Sequence, residues 1–174
     1  MSDVPDYPRA IRGGALGARL RRVSERIDRD STRIYANNGV RFEQRWFGLV
    51  NQLVLNEAMT VGEIATALRI THASVSQARR SLEAAGLVSS RGDVADARRR
   101  ILELTDAGRA LVRELAPLWQ ALSESSAKLN AESGDVVALL DRLEAALDAS
   151  SLADRVEMEM AGAADEAGGG GSDR

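Results

Sequence analysis

At 174 residues, with 44% apolar and only 3% aromatic side chains, the chain holds enough Leu, Val, Ile and Ala for a core and leans toward helix. It has no cysteine and one histidine, His72. That excludes disulfides, thiol redox sensing and His-cluster metal sites. The net charge of −3 divides unevenly: residues 1–104 carry a balance of +5 and residues 105–174 one of −8, so a polyanionic partner would be met by the first part.

No apolar run approaches the roughly 20 residues that span a bilayer, and the N-terminus lacks the apolar stretch of a secretory signal. A cytoplasmic chain with no membrane partner is therefore expected. No cofactor is expected either, because neither a metal cluster nor a Gly-rich phosphate loop is present. Nothing resembles a nucleophile–base pair, so the chain does not read as an enzyme.

Residues 1–15, with Pro5, Pro8, Gly13 and Gly14, read as a flexible arm. A helix follows from about Leu16 to Ala36, with Leu16, Leu20, Val23, Ile27, Ile34 and Tyr35 as its apolar set. Asn37-Asn38-Gly39 stops it, since these residues accept the left-handed conformation of a helix end. A second helix is expected from about Phe42 to Glu57, where Phe42, Trp46, Leu49, Val50, Leu53 and Val54 recur at steps of three and four.

Thr60-Val61-Gly62-Glu63 has the form of a capping box and opens a third, short helix. Thr71 is placed to cap a fourth, from His72 to Ala85, closed by Gly86. Two short helices joined by a few residues make a helix-turn-helix arrangement. At 100° per residue Val75, Ala78 and Leu82 share one side of the fourth helix. Ala73, Ser76, Gln77 and Arg80 fall opposite, with His72 and Ser74 on the flanks. The outward face is small, polar and basic, with no acid before Glu83. Such a face suits the major groove: small residues permit close approach, Gln pairs with adenine, Arg with guanine, and Ser with bases or phosphates. An ordinary solvated face would carry more Glu and Lys. His72 has three readings: a phosphate contact at a helix N-terminus, a pH switch, or a surface residue without a role.

Leu87–Ser90 reads as a strand, the polar segment from Arg91 to Arg98 as a turn, and Arg99–Leu104 as the returning strand. Arg98, Arg99 and Arg100 stand at or near the tip, where arginine can enter a narrow minor groove. Asp96 is spaced to hold Arg98. Thr105 opens a long helix to about Asn130, which Pro117 should kink or break near Ala116. Ser133 starts another helix, with a Val136, Leu140, Leu143 and Leu147 seam. From Ala161 onward the chain reads as a disordered Gly-rich tail.

Thr60–Ala65, Ala73–Ser76, Leu82–Val88, Asp96–Arg99 and Leu104–Gly108 together, in that order and spacing, resemble the MarR family of transcriptional regulators. The resemblance covers roughly Leu16 to Leu147. It implies a mainly α fold with a small β-hairpin wing, a winged helix-turn-helix at residues 41–105 between dimerisation helices at residues 16–40 and 106–160. It further implies a homodimer reading palindromic double-stranded DNA, with Asp96 and Arg98 at the family's Asp-x-Arg wing positions. Arg91 joins the DNA-facing set. A small aromatic or anionic effector is a further candidate partner, with Tyr35, Phe42, Arg45, Trp46 and Trp119 as candidate pocket liners beside Phe47 and Arg41. The competing reading of those aromatics is plain core packing. The competing reading of the whole is a winged-helix protein-interaction module that has lost DNA binding.

Overall fold

The structure, a computed structural model, describes residues 6–92 and 99–169. They form eight α-helices and one three-stranded sheet: α1 (Tyr7–Ala10), α2 (Leu16–Asn37), α3 (Phe47–Asn56), β1 (Ala58–Thr60), α4 (Val61–Leu68), α5 (His72–Ala84), β2 (Val88–Gly92), β3 (Arg100–Leu104), α6 (Asp106–Glu132), α7 (Val136–Ala149) and α8 (Leu152–Gly169). Short 3₁₀ turns lie at Arg12–Ala15 and Gln44–Trp46. The chain divides into two compact units, Met1–Glu114 and Leu115–Arg174. Among the described residues no helix is long and apolar enough to cross a membrane.

The first unit is built on α3, α4, α5 and the sheet. Leu49, Val50 and Leu53 of α3 are buried, as are Ile64 and Ala65 of α4 and Val75, Ala78 and Leu82 of α5. Val88, Leu102 and Leu104 complete this core from the sheet. The strand order is β1-β3-β2, antiparallel throughout. β2 and β3 form the hairpin, from Val88 opposite Leu104 to Gly92 opposite Arg100. β1 adds to the far edge of β3, Ala58 opposite Glu103 and Thr60 opposite Ile101.

Several sequence expectations change. The described part of the supposed flexible arm contains α1 and a 3₁₀ turn. The helix expected from Phe42 starts at Phe47, because Glu43 is extended (φ −102°, ψ 132°) and Gln44–Trp46 is 3₁₀. β1 was not foreseen. α6 runs unbroken through Pro117. Both Pro117 and Arg113 are exposed, so water can serve the carbonyl that loses its N–H partner. The helix expected from Ser133 begins at Val136, behind Asp135 in the left-handed conformation.

The supposed tail is helical as far as Gly169. Ser151 and Asp154 form a capping box at its start: the Asp154 carboxylate accepts from the Ser151 N–H (2.9 Å) and hydroxyl (2.7 Å), and Ser151 Oγ accepts from the Asp154 N–H (3.1 Å). The Ala-rich stretch from Ala161 then favours helix until the glycine run. Residues 170–174 lie outside the described residues.

Candidate nucleic-acid interface

Both caps foreseen at the helix pair are formed. Thr60 Oγ1 accepts from the Glu63 N–H (3.2 Å), while Glu63 Oε2 accepts from the Thr60 N–H (2.7 Å) and hydroxyl (2.8 Å). Thr71 Oγ1 accepts from the Ser74 N–H (3.1 Å). Arg69 makes the turn possible by adopting φ 52°, ψ 39°, and the Ile70 N–H returns to the Ala65 carbonyl (3.1 Å). Gly86 at φ 71° then ends α5 and sends the chain into β2.

On α5 the division of faces is the one its sequence implied. Val75, Ala78 and Leu82 are inside; His72, Ala73, Ser74, Gln77 and Arg80 are exposed, and Ser76 is half-buried. Arg79 and Arg80 differ in their surroundings. Arg79 is bound to Glu83 one turn on (2.8 Å), both side chains being largely covered. Arg80 makes no ion pair with any described residue. The Ser74 hydroxyl lies 2.9 Å from Thr71 Oγ1, so it belongs to the cap as much as to the outward face.

A groove of about 770 Å³ runs beside α5. Its walls are the first turn of α4 including Glu63, the α5 residues His72, Ser76 and Arg79, and Arg99 and Arg100 from the hairpin. Glu63 Oε1 lies 3.9 Å from the Arg99 guanidinium. Arg91, on the outer part of β2, is 4.0 Å from Glu103 across the hairpin. Asp96 and Arg98 lie outside the described residues. Sequence reading missed Glu63 and Arg79 as groove residues. The capping-box pattern marked Glu63 as a helix start, but nothing in the linear order showed that its Oε1 would face Arg99.

Of the candidate effector-pocket residues, three lie together in the first unit. Tyr35, Phe42 and Trp46 are buried and pack on one another, with ring centroids at 5.0 Å for Tyr35–Phe42 and 5.6 Å, edge-on, for Phe42–Trp46. Their polar ends are satisfied inside the fold. The Tyr35 hydroxyl donates to Gln44 Oε1 (3.2 Å) and the Trp46 indole N–H to Ser81 Oγ (3.1 Å). Arg45 instead lines a separate cavity of about 250 Å³ with Leu49, Leu68 and Gln77. Trp119 is half-buried in the second unit. Among the described residues no group of three acidic or histidine side chains is arranged to hold a metal ion.

Comparison with known proteins follows the same outline. The sequence model of the MarR family matches residues 42–99. A structure of Bordetella bronchiseptica BpsR, concerned with regulation of its DNA binding by 6-hydroxynicotinic acid, shares 26% identity at a TM-score of 0.60, covering 74% of this chain and 98% of that one. S. aureus MepR in complex with DNA shares 20% identity at a TM-score of 0.64, over 76% and 97% of the two chains. The M. tuberculosis transcriptional regulator MOSR, also in complex with DNA, shares 24% identity at a TM-score of 0.63, over 78% and 97%. No curated protein matches the chain in sequence.

Proposed function

We propose that this chain, whose residues 42–99 match the sequence model of the MarR family, is a sequence-specific regulator of transcription of that type, binding double-stranded DNA. The reading rests first on α5. Its first turns present Ala73, Gln77 and an Arg80 that has no acidic partner among the described residues, and α5 carries no carboxylate before Glu83. A helix so furnished fits the major groove and has little to offer water alone. A winged-helix module retired from DNA binding would have no use for that pattern, so the interaction-module reading is the weaker one.

In this reading the protein is a cytoplasmic, non-catalytic homodimer that acts as a repressor at a palindromic operator. Leu16, Leu20, Val23 and Ile27 of α2 stand 41–55% exposed at steps of four and three. An apolar stripe of that length on a lone chain calls for a partner helix. The two α5 helices of the dimer then meet half-sites about one turn of DNA apart, roughly 34–36 Å. A small aromatic or anionic effector is the proposed release signal, by analogy with BpsR. The candidate liners remain Tyr35, Phe42, Arg45, Trp46 and Trp119, of which Tyr35, Phe42 and Trp46 pack on one another.

The test is selection of bound sequences from a random duplex pool. A palindromic consensus with half-sites one helical turn apart supports the reading. Recovery of no enriched sequence, with no binding at low salt, rejects it.

A further inference from the structure

We propose that Glu63 is a selectivity residue of the DNA-binding surface: its carboxylate neutralises Arg99 in the free protein and so suppresses attraction to DNA of the wrong sequence. The inference rests on the DNA-binding reading and deepens it. Glu63 Oε2 is committed to the capping box, accepting from both the N–H and the hydroxyl of Thr60. The other oxygen faces the Arg99 guanidinium at 3.9 Å on the groove wall. Both side chains are about half exposed, 54% and 51%. An ion pair so open to water adds little to stability. Its charge effect on an approaching polyanion is another matter, because it sets how many free cations line the groove.

The cations on the groove and recognition helix fall into two groups. Arg79 is paired with Glu83, and Arg99 with Glu63. Arg80 and Arg100 have no acidic partner among the described residues. Attraction to the phosphate backbone is common to all sequences and grows with each cation that can release a counterion. A guanidinium already matched to a carboxylate adds little to that general term. It contributes only when a well-seated duplex brings a phosphate close enough to draw it from Glu63. Glu63 thereby taxes loose encounters more than fitted ones, which is discrimination by a built-in repulsive element.

The substitution Glu63→Gln separates the two duties of this side chain. Glutamine at the same helical position retains an acceptor for the capping box and removes the charge facing Arg99. In fluorescence-anisotropy titrations across a salt series, Glu63→Gln should bind an unrelated duplex about 3–10-fold more tightly than the parent does. Its slope of log affinity against log salt should steepen by about one unit, as expected for one further phosphate contact. Affinity for the selected palindrome should rise less, so the ratio of specific to unspecific binding falls. In the Arg99→Gln background the same change at Glu63 should bring at most a small gain. Unchanged or weaker binding of the unrelated duplex by Glu63→Gln, with thermal stability equal to the parent's, overturns the proposal while leaving the regulator reading intact. An equal gain with and without Arg99 also overturns it, since the effect would then be plain charge removal. A parent protein that binds no duplex at all removes both readings.

Discussion

Individual side chains of α5 divide into those that hold the helix in the fold and those proposed to read DNA. Gln77 and Arg80 are exposed on α5, and Arg80 has no ion-pair partner among the described residues. Replacing either with alanine should relax preference at particular base pairs by about 1–3 kcal/mol each, measured as affinity across a panel of single-base operator variants. Gly108 works at the same scale for a different reason. Thr105 Oγ1 donates to the Gly86 carbonyl (2.7 Å) and accepts from the Gly108 N–H (3.0 Å), drawing the first turn of α6 against the end of α5. A Cβ at Gly108 would stand 2.1 Å from the Leu87 carbonyl oxygen, so backbone must move to admit it. Gly108→Ala should cost about 3 kcal/mol, the upper end of the overpacking range, read as a lowered urea midpoint at fixed protein concentration.

Elements are joined by a few polar ties whose loss is measurable. The Trp46 indole N–H donates to Ser81 Oγ on α5 (3.1 Å), linking the aromatic cluster to that helix. Ser81→Ala leaves that largely buried donor without its partner and should destabilise the fold by about 1–3 kcal/mol, with a shift in tryptophan emission as a second readout. The start of α8 depends on a charge. Hydrogen bonds from the Ser151 side chain and backbone hold the Asp154 carboxyl below its usual value. Its folded-state value being depressed, its contribution is present above the ordinary aspartate range, near pH 4, and is lost as pH falls through the lowered value. Asp154→Ala should therefore show less helical ellipticity than the parent at neutral pH, and the difference should vanish on acidification.

For the whole molecule the governing quantity is apolar surface without a partner in the single chain. The α2 stripe includes Val23 at 55% and Ile27 at 49% exposure. A glutamate at both positions places charge where the proposed partner helix would pack. The double variant should move toward the mass of one chain in light scattering and lose tight binding to the palindrome. It should keep weak, strongly salt-dependent binding to any duplex. A double variant that stays dimeric would mean that α2 does not form the interface.

Sequence alone determined the helix pair, its two caps and the division of α5 into inner and outer faces, because helical periodicity and capping are local and short-range. It also carried the resemblance to the MarR family, through Thr60–Ala65, Leu82–Val88 and Leu104–Gly108, and the family's sequence model matches residues 42–99. Tertiary structure alone decided the rest. β1 is three residues long, too short for alternation to mark, and exists because β3, some forty residues later, supplies its hydrogen bonds. Phe42 begins no helix because it is packed between Tyr35 and Trp46 in an extended entry. That Tyr35, Phe42 and Trp46 pack ring on ring likewise depended on how the chain folds back at that point. The same is true of Glu63, whose capping role is written in Thr60–Glu63 but whose charge acts on Arg99, brought beside it only by the folded hairpin.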